Sequence, residues 1–286
     1  MPSLIDIRRR IRSVKNTQQI TKALKMVSAA KLRRAQDRVI ASRPYAEIMQ
    51  RMLSNVAQAA SEDPESQGEP LLAERPEKRI QLLVVTADRG LAGAFNSNVI
   101  KASLRFMQEH SSSEVKLELI GRKGRDSLRK RGDVTGEYST LFQKQVKFED
   151  ALDIARKVIE RFRNEEIDSV YIVANHFKNL LGGQLSMTRV LPVELPEQKT
   201  AIDYIYEQPP HEILAKLLPR YIEAQIFRAM LESAAAEHAA RMTAMDAASS
   251  NASDVIDTLT LNMNRVRQAS ITREIIEIVS GASALD

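Results

Sequence analysis

The sequence predicts an α/β fold combined with a long antiparallel two-helix coiled coil. Three observations carry this. The first 57 residues are amphipathic and nearly free of helix breakers. Residues 77–208 alternate strand-like and helix-like segments. Residues 209–286 carry a sustained heptad seam of apolar side chains. Only ten Gly and ten Pro occur in 286 residues, too few for the many turns of a β-rich fold.

Residues 3–57 contain no Gly and a single Pro, Pro44. Apolar residues recur at three-to-four spacing: Ile7, Ile11, Val14, then Ile20, Leu24, Val27, then Met49, Met52, Val56. That period is the signature of a helix with one apolar face. At 1.5 Å per residue such a helix reaches roughly 80 Å, too long to be buried in a compact domain. Residues 1–60 are therefore read as a coiled-coil helix, with a slight bend allowed at Pro44. Residues 1–57 hold thirteen Lys or Arg against Asp6, Asp37 and Glu47, a balance of +10. The whole chain is +5, so the remainder carries −5. A basic rod suits an acidic protein surface, nucleic acid or anionic lipid, and a solvated helix face fits the same charge.

"SEDPESQGEPLLAERPEK" (61–78) is polar and reads as an exposed linker. The alternating region follows. "RIQLLVVT" reads as a buried strand, and "NSNVIKASLRFMQEH" as a helix starting near Asn96. "VKLELIG" is a strand and "RKGRDSLRKRG" a short basic helix and turn. "FEDALDIARKVIERFRNEE" is a helix, while "SVYIVANHF" and "QLSMTRVLPVEL" are strands. Strand–helix alternation predicts a mainly parallel sheet with helices packed on it. The last two strands have no helix between them, so they are expected to pair antiparallel. "LPEQKTAIDYIYEQPPH" is a further connector.

From residue 209 onward the pattern is helical, with Pro219 at a kink or in the first turn of the long helix. Alternating steps of three and four run from Leu214 through Leu217, Tyr221 and Ala224 to Met263 and Val266, and thirteen of the sixteen positions are apolar. Arg228, His238 and Ser249 are the polar ones. This is a coiled-coil seam, Ala-rich in "LESAAAEHAARMTAMDAASSNA", where small side chains let two axes approach. The two long helices flank the α/β region, so their pairing is antiparallel. The last helix is longer by roughly twenty residues at equal rise. Its end, "EIIEIVSGASALD", is expected to project with Ile275, Ile278, Val279 and Leu285 seeking a socket in other chains.

Catalytic patterns are scarce. The chain has no Cys, so no thiol, disulfide or zinc-thiolate chemistry is expected. His110, His176, His211 and His238 are scattered without paired-ligand spacing, and no metal or cofactor site is expected. "TADRGLAGAFNSN" (86–98) follows a strand and precedes a helix, where α/β sheets bind phosphates. Yet Gly90 and Gly93 form only G-x-x-G, without a Lys or acidic ribose partner, which is also an ordinary tight turn. "GRKGRD" (121–126) reads as a basic surface turn able to hold a phosphate. No apolar run of about eighteen residues occurs, and "MPSLIDIRRR" lacks the apolar core of a secretory signal.

Longer motifs carry a resemblance. "IRSVKNTQQITKALKMVSAAKLRRAQ", "DRGLAGAFN", "EHAARMTAMD" and "LTLNMNRVRQASITREIIEIVSGASAL" together resemble the γ-subunit family of F-type ATP synthases in its bacterial form. Ala92 stands where many members carry Cys, and Ala236 where Ser is usual. The resemblance covers essentially the whole chain. It implies a Rossmann-like central domain between the coiled-coil helices. It implies a non-catalytic central-stalk rotor that couples rotation of a membrane c-ring to ATP chemistry on α and β subunits. It also implies regulation of ATPase activity and proton flow, an ε subunit and c-ring as further partners, one copy per complex, and a peripheral place on the cytoplasmic face of the cell membrane. No organellar transit peptide and no regulatory Cys insertion are expected.

By the same resemblance Arg8, Arg9, Lys22, Lys25, Arg33, Arg34 and Arg89 are expected at or near α/β-facing surfaces. Arg267 and Gln268 match family positions that hydrogen-bond to a β loop at one rotary angle. Ile275, Ile278, Val279 and Leu285 would form the apolar bearing. Two readings of other classes stand beside this one: a nucleic-acid-binding coiled coil, and a nucleotide-binding enzyme using the Gly90–Asn96 turn.

Overall fold

The computed structural model describes residues 3–61, 68–143, 145–179, 182–195 and 207–283. Of the expected linker, residues 62–67 lie outside the described residues, as do 196–206 of the later connector. The chain divides into two compact units. One comprises Met1–Ser28 with Met242–Asp286, and the other is Ala29–Arg241. Helix α1 (Leu4–Ser61) and helix α5 (Pro210–Ser283) contribute to both. Pro44 and Pro219 lie inside these helices and end neither.

In the first unit the start of α1 pairs with the end of α5, antiparallel. Thr21 meets Ser249, while Lys25 meets Asp246. Ser3 opens α1 as a cap: its Oγ accepts from the Asp6 N–H (3.2 Å) and donates to the Asp6 carboxylate (2.7 Å). Up to Ser28 the positions 4, 7, 11, 14, 18, 21, 25 and 28 of α1 are covered, alternate steps of three and four, and Leu24 is half-buried beside them as expected. This corrects the expected apolar face. Ile20 and Val27 are 60% and 52% exposed, whereas Gln18, Thr21 and Ser28 lie in the seam. A coiled coil keeps whatever stands at its 3.5-residue repeat facing the partner. Starting from Ile7, Ile11 and Val14, that repeat arrives at Gln18 and Thr21, not at Ile20.

The second unit holds one five-stranded sheet in the order β3-β2-β1-β4-β5. The strands are β1 (Arg79–Val85), β2 (Glu114–Ile120), β3 (Asp133–Tyr138), β4 (Ser169–Asn179) and β5 (Gly182–Leu191). Strands β3, β2, β1 and β4 run parallel, while β5 pairs antiparallel with β4. The mixed sheet follows the expected alternation, except that β3 is an additional edge strand. It directly follows the basic helix and turn at 122–132, in a stretch to which the sequence assigns no element, because "DVTGEY" is polar and carries a Gly.

Pairs such as Ile80–Val115, Leu82–Leu117 and Val84–Leu119 align one apolar face. Helix α2 (Phe95–Glu109) lays Val99 and Phe106 on that face. Each such side chain removed from water contributes roughly 1.5–3 kcal/mol. Helix α3 (Arg122–Leu128) adds Leu128. Helix α4 (Phe148–Arg163) covers the other face, where its Arg161 donates to Gln81 Oε1 at 2.5 Å.

Here α5 is buried along two stripes. The heptad stripe includes Leu214, Leu217, Leu231 and Ala235. A second stripe, Leu218, Ile222, Ile226, Ala229 and Ala236, extends the contact toward the sheet domain. Ala236 packs with Ala87, Ala92 and Phe95, and Phe227 meets Phe148 of α4 edge-on at 5.2 Å. A Cβ on Gly183 would come within 2.7 Å of Ala236 Cβ, so β5 needs a bare backbone there.

Candidate partner interfaces

The described residues among the expected contacts lie at the surface of both units. On the first unit, Arg8, Arg9 and Lys22 are exposed on α1, off the seam. Lys25 differs from them. Its Nζ lies 2.5 Å from Asp246 Oδ1, so its charge is engaged within the chain. An exposed pair of this kind contributes about 0–1 kcal/mol. Arg267 and Gln268 are exposed on α5, and the Gln268 carbonyl accepts from Thr272 Oγ1 at 3.0 Å. Every residue from 271 to 280 is exposed. Ile275, Ile278 and Val279 are 55%, 71% and 58% exposed, and Leu285 lies outside the described residues.

On the second unit, Arg33 and Arg89 are exposed. Arg34 lines a cavity between α1, α5 and the residues 142, 143, 145 and 146. The structure thus places Arg8, Arg9, Lys22 and Lys25 along one helix with Arg267 and Gln268 on its antiparallel neighbour, all within one unit. Arg33, Arg34 and Arg89 belong to the other unit.

The turn after β1 is organised by Asp88, a residue the sequence reading passed over. Its side chain is buried. Its Oδ1 accepts from the N–H of Arg122 (2.9 Å) and of Thr140 (3.0 Å), and its Oδ2 from the N–H of Phe142 (2.9 Å). Asn96 accepts from the Ala87 N–H at 2.9 Å and donates to the Arg89 carbonyl at 3.4 Å. The neighbouring Thr86 donates to the Ile120 carbonyl and accepts from the Gly124 N–H at 2.8 Å. Gly121 has φ +98°, and a Cβ there would stand 2.0 Å from the Thr86 carbonyl oxygen.

These amides converge at the carboxyl end of parallel strands, where an α/β fold receives a phosphate. In this chain they already hold a carboxylate. A phosphate in the same place would face Asp88, so the 86–98 turn and the 121–126 segment brace each other. The available signal was the polar Asp directly following a strand, since Asp side chains readily accept backbone N–H bonds in turns.

The turn is also tied to α5. Arg241 donates through Nε and Nη2 to the Gly90 carbonyl at 3.3 and 3.2 Å, and its Nη2 lies 2.5 Å from Glu237 Oε1. Burial pushes the Glu237 carboxyl above its usual range, partly offset by Arg241. A second link joins β4 to α5: Glu232, mostly buried, accepts from His176 and from Arg228 (2.8 Å). Burial alone would raise the Glu232 pKa, but those two hydrogen bonds outweigh it and hold the carboxyl below its usual value.

Among the described residues no group of three His, Asp or Glu could hold a metal ion. No helix among them is long and apolar enough to cross a membrane.

The family model described as ATP synthase matches residues 3–285. A protein of Solibacter usitatus named ATP synthase gamma chain is 63% identical over 287 residues, covering all of both chains. The ATP synthase gamma chain of Pelotomaculum thermopropionicum is 49% identical over 290 residues, again covering both in full. Among solved structures, a chain of the Euglena gracilis mitochondrial ATP synthase, OSCP/F1/c-ring, in rotational state 3, aligns with TM-score 0.66 at 19% identity. That alignment covers 99% of this chain and 94% of the other. A chain of the central stalk/c-ring structure of the Tetrahymena thermophila mitochondrial ATP synthase gives 0.63 at 24% identity, covering 80% and 99%. At such identities the structural likeness speaks for the fold.

Proposed function

Because this chain belongs to the ATP synthase gamma-chain family, we propose that it is the central-stalk rotor of a bacterial F-type ATP synthase. The observation that carries the reading is the end-to-end match at 63% identity. In this reading the paired helices turn inside a ring of α and β subunits. The α/β domain, with an ε subunit, rests on the membrane c-ring. Attachment to the cytoplasmic face of the membrane is peripheral, through the c-ring.

The physical logic suits a shaft. Torque transmission makes and breaks no covalent bonds, so ATP chemistry belongs to the α and β subunits. An asymmetric surface rotating past each β subunit favours one of its states over another and so links its affinity to angle. Exposed Arg8, Arg9, Lys22, Arg33 and Arg34 suit an acidic lever on β, and Arg267 with Gln268 can form charge-assisted bonds at one angle. An exposed apolar tip suits a bearing, because apolar contact is non-directional. The α/β turn reading as a nucleotide enzyme loses its support, since Asp88 fills the amide cluster.

Reconstitution tests the proposal. The chain is mixed with α and β subunits of the same organism. A complex with one copy of this chain and rotation-coupled ATPase is expected. Arg267→Ala with Gln268→Ala should lower steady ATPase several-fold while the complex still forms. Failure to assemble with α and β, combined with salt-sensitive DNA binding, would replace the rotor by the nucleic-acid reading.

A further inference from the structure

A cavity of about 270 Å³ opens in the second unit between α1, α5 and the residues 142, 143, 145 and 146. Lys31, Arg34 and Arg38 line it from α1, and His238 from α5, with Gln143 and Gln145 at its rim. Positions 31, 34 and 38 lie on one face of a helix, so three cationic heads share one space. Among the described residues no ion pair joins any of the three to a carboxylate. The single acid in the lining is Glu237, and Arg241 already bridges it at 2.5 Å. The lining therefore holds three cations against one carboxylate, which Arg241 bridges and Lys31 also faces, so positive charge is in excess.

Three like charges side by side repel one another, and burial adds to this at Arg38, whose charged form it disfavours. Arg38 donates to the Val146 carbonyl, which fixes one wall. His238 supplies a neutral donor. Its pKa is pushed down to about 4 by burial, then by the charges of Arg241 and Lys31. Its Nδ1 faces Arg241 Nη1 at 3.4 Å and so acts as acceptor, which leaves the proton on Nε2. A water takes up about 30 Å³ of liquid, so the cavity has room for a phosphate-sized group and several waters.

We propose that this cavity is a binding site for a small oxyanion, either inorganic phosphate or the phosphate end of a phosphorylated metabolite. Two guanidinium forks match tetrahedral oxygens, an ammonium adds a point charge, and the carboxamides of Gln143 and Gln145 can complete the shell. The site lies wholly in the second unit and is complete in the free chain; in the rotor reading Arg34 would be shared with the acidic lever on β once the complex forms.

The test titrates the full chain with inorganic phosphate at constant ionic strength, by calorimetry. One saturable site per chain is expected. Lys31→Gln with Arg34→Gln should weaken binding at least about ten-fold. Lys31→Arg should keep it, and Lys130→Gln, an exposed cation elsewhere in the unit, should leave it unchanged. The imidazole resonances of His238 give a second readout in the wild-type chain: a bound anion favours the imidazolium and raises its pKa from about 4, which chloride does not do. A phosphorylated sugar binding more tightly than phosphate at the same site assigns the metabolite as ligand, and the reverse assigns free phosphate. Absence of saturable binding, binding that survives the double variant, or equal loss in Lys130→Gln overturns the proposal. So does a polyglutamate peptide that needs Lys31 and Arg34 while phosphate does not bind, because the cavity would then receive a protein carboxylate.

Discussion

The hydroxyls of Thr21 and Ser249 lie 2.7 Å apart in the seam between α1 and α5, and both residues are buried. Each hydroxyl also reaches a carbonyl of its own helix, Gln18 at 3.0 Å and Met245 at 2.8 Å. Two protons thus serve three contacts. If one hydroxyl is removed, the other still has its helix carbonyl. The small size of this pair, more than its hydrogen bond, matches the close approach of the two helices.

Thr21→Val should therefore lower stability by less than about 1 kcal/mol. Ser249→Leu should lower it by about 1–3 kcal/mol, because a larger side chain overfills a seam set for small ones. Urea unfolding of the full chain, followed by circular dichroism, ranks the two. The opposite order would show that the hydroxyl contact dominates.

Asp88 offers a sharper contrast. Asp88→Ala leaves the N–H groups of Arg122, Thr140 and Phe142 without their acceptor, at roughly 1 kcal/mol or more each. Asp88→Asn keeps one acceptor oxygen, which can serve the Arg122 and Thr140 amides. Its loss of stability should be less than half that of the alanine variant. Equal losses in the same unfolding assay would mean that the negative charge, not the acceptor geometry, matters.

The folded-state pKa of His238 is about 4, below its ordinary 6.5. On acidification the unfolded chain takes up the proton first. The contribution is complete above about pH 6.5 and is lost as pH falls toward 4, at most about 3 kcal/mol. His238→Gln should flatten the stability–pH curve in that window. Glu232, held low by His176 and Arg228, acts further down: its contribution is present above its ordinary carboxyl value and is lost as pH falls through the depressed one. Glu232→Gln should flatten the curve below about pH 4.5, where the Glu232 carboxyl takes up its proton. A wild-type curve flat over 6.5 to 4 would mean that His238 is solvated.

Truncation after Thr272 removes a stretch whose described side chains up to 280 are exposed. The melting temperature of the free chain should not move by more than about one degree, because exposed surface positions contribute little. In a complex with α and β, each apolar side chain seated in a socket is worth roughly 1.5–3 kcal/mol, so the same truncation should lower the melting temperature of the assembly. A large loss in the free chain alone would place the tail's contacts within its own molecule.

What was legible in the sequence was local in origin. A 3.5-residue apolar repeat, or a run of β-branched residues followed by an amphipathic stretch, is imposed by backbone geometry over a few turns. Hence α1, α2, α4, α5 and the strands β1, β2, β4 and β5 could be read in order. Long motifs at both ends also carried the family resemblance. The edge strand β3 was missed because its alternation, "DVTGEY", is weak and its one flanking partner, β2, supplies the hydrogen bonds.

Tertiary structure alone decided which face of each element is used. Ile20 and Val27 look like core residues by spacing, yet the seam passes through Gln18 and Thr21, because the partner helix holds the 3.5-residue frame begun at Ile7. The second buried stripe of α5 exists because the sheet domain packs on it through Ala236, a contact with Ala87 and Phe95 more than a hundred residues away. Asp88 is a plain polar turn residue until segments 34 to 54 positions further on bring it three amides. The cationic cavity likewise needs Lys31 and His238, which are neighbours only after folding. Periodicity is written within one segment and survives in the sequence. The pairing of segments depends on which surfaces exclude water together, and that is settled by the whole chain at once.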